Sequence, residues 1–105
     1  MRTTVLAITA AIFFPGSLYA EDSMTVATQL GALLAAESAC GMTYDKEAIS
    51  GYIEKNVADD DLSFASILPM MVKGQGIQID QMTESSKMAF CTQQRRVAKK
   101  LGFAK

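Results

Sequence analysis

Histidine and tryptophan are both absent from the 105 residues, proline occurs twice and cysteine twice. Without imidazole, every mechanism that uses a neutral-pH side-chain base of that kind, or a histidine metal ligand, is excluded. Ser and Thr hydroxyls remain as nucleophiles, but neither a G-x-S-x-G elbow nor an S-x-x-K pair is present to activate one. Gly74-Gln-Gly76 is not followed by the Gly-Lys-Ser/Thr of a phosphate-binding loop. Asp59, Asp60 and Asp61 lack the alternating spacing of a calcium loop, and three adjacent acids suit the start of a helix better than a catalytic pair. No catalytic residue, cofactor or metal site is therefore expected, and the chain does not read as an enzyme.

Long apolar runs are missing too, except at the front. Arg2 is followed by a nearly unbroken apolar stretch from Val5 to Phe14, broken by Pro15 and Gly16, and Ser17-Leu-Tyr-Ala20 ends in a small residue. This order is that of a cleavable signal peptide over residues 1–20, with cleavage after Ala20. Its apolar run of about ten residues falls well short of the roughly 20 needed to span a bilayer. Glu21, not a cysteine, stands directly after the cleavage position, so a lipid anchor is not expected. Residues 21–105 then form one domain, periplasmic or secreted, with no stable membrane insertion.

Cysteine usage fits that address. Cys40 and Cys91 can form only one intramolecular pair, which an oxidising compartment favours. They lack the close C-x-x-C spacing of a redox pair, and a soft-metal site would need further ligands. A structural disulfide between them destabilises the unfolded chain by about 4 kcal/mol on a chain-entropy estimate. That is comparable to the roughly 3–5 kcal/mol that a core of this size supplies.

Helical spacing dominates the rest, and the expected fold class is all-α: a small bundle of about four short helices, leaning antiparallel, stapled by one disulfide. The first helix runs from Ser23 to Cys40, with one buried stripe through Val26, Ala27, Leu30, Leu33, Leu34, Ala36 and Ala39, and Gly41 ends it. The second starts at Asp45 as N-cap and carries Ile49, Tyr52, Ile53 and Val57 on one side. The third follows the aspartate run and carries Leu62, Phe64, Ala65, Ile67, Leu68, Met71 and Val72, with Pro69 expected to kink or interrupt it. Lys73-Gly-Gln-Gly76 reads as a loop, and Ile77-Gln-Ile79 as a weakly strand-like alternation. The last helix begins at Thr83 and ends before Gly102. Phe90, Cys91, Val97, Ala98 and Leu101 share one face, opposite Arg96, Lys99 and Lys100.

Charge is segregated although the total is only −1. Residues 21–61 hold nine acids against Lys46 and Lys55, whereas residues 91–105 hold five bases and no acid. The expected arrangement sets the basic last helix beside the acidic second helix. The alternative is a cationic docking stripe of Arg96, Lys99 and Lys100. Nucleic acid is a poor partner for a net-negative exported chain without aromatic-interleaved basic segments. Six methionines in the mature part suit core filling, an adaptable binding surface, or, less well, a Cu(I) site, since their spacing does not converge.

Ser38-Ala-Cys-Gly41, Tyr52-Ile-Glu, Phe64-Ala-Ser66, Met82-Thr, Phe90-Cys-Thr with Arg95, and the closing Gly102-Phe103 resemble small exported two-cysteine proteins of α-proteobacteria. The resemblance spans nearly the whole mature chain. It implies a periplasmic, disulfide-linked helical domain and transfers no active-site residue. In size and cysteine layout the chain is also similar to acid-activated periplasmic chaperones, without their motifs. The expected function is non-enzymatic: a binding or chaperone-like protein of the envelope, with envelope stress or host association as its setting and a protein as its unidentified partner. Self-association is compatible with the composition. The alternatives are an inhibitor or immunity-type protein acting through a loop at Lys73 and Gln75, and a carrier of a soft metal or small apolar ligand.

Overall fold

A computed structural model of the protein describes residues 23–105. The expected signal peptide and its cleavage position lie outside these residues. Four helices and no strand are present among them: α1 Ser23–Ala39, α2 Lys46–Asn56, α3 Ser63–Asp80 and α4 Glu84–Lys100. The all-α bundle is as expected, and Cys40 and Cys91 are bridged, with Cα atoms 5.6 Å apart.

The helix ends follow from local chemistry. Asp45 accepts a hydrogen bond from the Glu47 N–H at 3.0 Å, and Thr83 accepts from the Ser86 N–H at 3.2 Å, so each caps its helix from the preceding residue. Two glycines end helices in the same way. Gly41 (φ 68°) lets the Met42 N–H reach the Glu37 carbonyl, and Gly102 (φ 83°) lets the Phe103 N–H reach that of Ala98, both at 2.8 Å. This closure satisfies the last carbonyls and turns the residue after each glycine back toward the bundle.

α1 is the centre of the fold. Val26, Ala27, Leu30, Gly31, Leu33, Ala35 and Ala36 are all buried, so the burial is wider than the single stripe read from the spacing. A helix apolar on several sides is one that neighbours surround. α3 lies along α1, and α4 meets it less extensively. At the start of α3, Asp61 accepts a hydrogen bond from the Ser23 side chain at the start of α1, while Met71 and Gly31 abut in mid-helix. The starts meet and the middles meet, so α1 and α3 run parallel. This corrects the antiparallel expectation: α2 serves as the return crossover.

α3 also corrects the expected break at Pro69, the loop at Lys73–Gly76 and the strand-like Ile77–Ile79, because one helix continues through all of them. The reason lies in the stripe that α3 presents to α1. Phe64, Ile67, Leu68, Met71, Val72, Gln75, Gly76 and Ile79 are buried or half-buried at helical spacing. Unwinding the helix at Lys73 would expose Ile79, which is fully buried. Each glycine weakens the helix by only about 1 kcal/mol, less than the roughly 1.5–3 kcal/mol from burying one large aliphatic side chain. Pro69 and Ala65 are both exposed, so the carbonyl that Pro69 leaves without an N–H partner faces the solvent side.

The C-terminal tail closes the other end of the core. Phe103 is buried between Tyr44 and Tyr52, with ring centroids 5.7 Å from each. The Asp45 N–H donates to the Phe103 carbonyl at 2.7 Å, tying the tail to the start of α2. Phe103 thus fills the place expected for Leu101, which is exposed because α4 ends at Lys100 and the turn at Gly102 carries the chain inward one step later.

Candidate functional site

α3 has a covered face and a bare one. At 100° per residue, Leu62, Ser66, Pro69, Met70, Lys73 and Ile77 fall within about a quarter of the helix circumference, opposite the stripe that packs on α1. Leu62 is 80% exposed, Met70 71% and Ile77 52%, an unusual exposure for large apolar side chains aligned on one helix. Lys73 stands between Met70 and Ile77 on this face, whereas Gln75 points toward the covered side and is half-buried. Met88, 69% exposed, belongs to α4.

Among the described residues, four shallow clefts lie around α2 and α4. One, of about 490 Å³, is lined by Ala48, Gly51, Tyr52, Lys55, Asn56, Lys100 and Leu101. Gln93, Arg96, Val97 and Lys100 line a groove of about 210 Å³. On another side of α2, Ile53, Glu54, Asp59, Asp61, Leu62 and Phe64 contribute to an acidic cleft of about 460 Å³. The fourth, of about 400 Å³, lies where Thr43 and Tyr44 meet Gly102, Phe103 and Lys105. None of these clefts is lined by methionine.

The residues singled out from the sequence separate into two groups. Arg96, Lys99 and Lys100 are exposed on α4, and Arg96 and Lys100 share the groove to which neither Lys73 nor Gln75 contributes. The end of α4 does lie beside α2, as expected, but not against its acids. No carboxylate oxygen among the described residues comes within 4.0 Å of Lys55, Arg96, Lys99 or Lys100. The cause is helix geometry. The α2 face toward α4 carries Ala48, Tyr52 and Lys55, and Glu47 and Glu54 lie about a third of a turn away from it.

Among the described residues, two ionisable groups have shifted acidities. Asp61 is held below the usual carboxylate range by hydrogen bonds from the Ser63 and Ser23 side chains and the backbone N–H groups of Phe64 and Ser63. The Ser63 hydroxyl donates at 2.7 Å. Asp61 therefore does the capping at the start of α3 that Leu62, with no polar side chain, cannot do. Tyr44 is pushed up to about 12 by burial and by the negative charge of Glu37, against a smaller opposing effect of Arg95. Its hydroxyl donates to the Leu33 carbonyl at 2.8 Å, and its N–H to the Glu37 carboxylate at 2.8 Å. Tyr44 escaped the sequence reading, although an aromatic residue directly before an N-cap aspartate is a signal for chain entry into a helix.

Among the described residues there is no cluster of three or more metal-ligating side chains, and no helix is long and apolar enough to cross a membrane. No protein-family model, curated protein or solved structure matches the chain.

Proposed function

We propose that this is a non-enzymatic binding protein of chaperone-like type, periplasmic or secreted, that engages partner polypeptides through the bare face of α3. The observation that carries the reading is the alignment of Leu62, Met70 and Ile77, largely exposed, on the side of α3 opposite α1. Such a face loses apolar contact with water when it is covered, which is a driving force for association. Unbranched Met70 adapts to partners of different shape, and Lys73 between the apolar residues adds a charged contact without breaking the stripe. The disulfide supports an oxidising compartment, and the signal-like front of the chain supports export to it.

The helical state of Lys73–Gly76 removes the loop on which an inhibitor reading depends. The four clefts described above, none of them lined by methionine, lend no support to a soft-metal carrier.

Light scattering of a reduced, aggregating client protein tests the proposal. Stoichiometric amounts of this protein should suppress the scattering, and Met70→Gln with Ile77→Gln should lose the suppression while keeping the melting temperature. Sedimentation of the protein alone completes the test. A dimer that the same double variant dissociates would assign the face to a second copy and overturn the reading.

A further inference from the structure

The cleft between α2 and the end of α4 has a chemical character distinct from the α3 face. Ala48, Tyr52 and Leu101 give it an apolar lining, Gly51 contributes no side chain to narrow it, and Lys55 and Lys100 both border it. Lys100 also borders the adjoining groove, where Arg96 stands beside Val97. Three cations thus border two neighbouring hollows that share Lys100. All three are exposed, no acidic residue lines either hollow, and no carboxylate among the described residues comes within 4.0 Å of any of them.

The C-terminal turns of α2 and α4 border the cleft and bring partial negative charge to it. A helix C-terminus carries roughly half a negative charge, so two of them fall short of balancing three full positive charges. A residual positive field over an apolar lining is complementary to a ligand with an anionic head and an apolar body. A volume of about 490 Å³ lies within the usual range for small-ligand sites.

We propose that the α2–α4 cleft binds a single-chain anionic amphiphile, an acyl chain ending in a carboxylate or phosphate. The chain lies on Ala48, Tyr52 and Leu101, and the head is held between Lys55 and Lys100 with Arg96 at the outer edge. A free fatty acid and a membrane lipid both carry this chemistry. The size of the cleft fits one chain taken up as a monomer.

Displacement of a fluorescent fatty acid from the full protein tests this. Dodecanoate below its micellar concentration should displace the probe, while dodecyltrimethylammonium and acetate should not. Lys55→Gln with Lys100→Gln should weaken dodecanoate binding at least tenfold at an unchanged melting temperature. Leu101→Asp, at a position 36% exposed, should also weaken binding. Equal binding of the anionic and cationic chains, or equal binding by the double variant, would overturn the proposal. So would binding to anionic phospholipid vesicles without binding of monomeric dodecanoate, because that result describes a charged surface and not a cleft.

Discussion

A Cβ placed on Gly31 would stand 2.7 Å from the Cβ of Met71 and 3.2 Å from its carbonyl carbon. The absence of a side chain there is what lets α1 and α3 lie against each other in parallel. Gly31→Ala should therefore destabilise the protein, although alanine is the better helix former by about 1 kcal/mol. Overpacking of this kind costs about 1–3 kcal/mol, and the blocking atoms include backbone, which cannot swing away. Chemical denaturation of the variant checks the sign: a stabilised protein would mean that the helices separate freely.

The bridge from Cys40 to Cys91 spans 51 residues and joins the end of α1 to the middle of α4. Thiol titration of the denatured protein should find no free thiol. Cys91→Ser should remove about 4 kcal/mol of stability, a large share of what so small a domain has. An unfolding midpoint within error of the parent's would show that the helices hold together without it.

Tyr44 gives the fold an alkaline limit. Its folded-state value, raised to about 12 from 10.0, means that the folded protein keeps the phenol proton more tightly than the unfolded chain. The resulting stability is complete below about pH 10 and is lost as pH rises toward about 12. Tyrosinate absorbance should show Tyr44 ionising only as the helical signal falls. In Tyr44→Phe, which also loses the bond to the Leu33 carbonyl, this component of the alkaline loss should vanish. Ionisation of Tyr44 near pH 10 in a fully folded protein would contradict the assignment.

Asp61 sets a limit at the acid end. Its depressed folded-state value means that its contribution is present above the unfolded value, near 4, and is lost as pH falls through the folded value. Melting temperature should accordingly decline below about pH 4, and Asp61→Asn should flatten that part of the profile while lowering stability at pH 7. An unchanged acid limb in the variant would transfer the effect to other carboxylates.

These features were legible in the sequence to different degrees, according to how local their causes are. Asp45 and Thr83 cap their own helices, and Gly41 and Gly102 end theirs, so four boundaries could be read from a few residues each. The continuation of α3 through Gly74 and Gly76 could not, because its cause is the burial of Ile79 at the far end of the stripe. Phe103 lies beyond the last helical residue, where periodicity no longer applies, and its partners Tyr44 and Tyr52 are distant in sequence. The bare face of α3 was hidden for a related reason. Leu62, Met70 and Ile77 look like core residues until it is known which side of the helix lacks a neighbour. The cationic run of α4 was visible, but not that Lys55 and the end of α4 would share a cleft.

The methyl groups of the methionines provide the most direct measurement of where a partner sits. Met70 on α3 and Met88 on α4 are exposed to nearly the same extent, 71% and 69%, while Met71 is half-buried near Gly31. With methyl-labelled methionine, addition of a reduced, permanently unfolded polypeptide should broaden or shift the Met70 resonance and leave Met88 and Met71 in place. Ile77→Gln should abolish the change at Met70. Equal perturbation of Met70 and Met88, or perturbation of Met88 alone, would contradict the assignment of the binding face to α3.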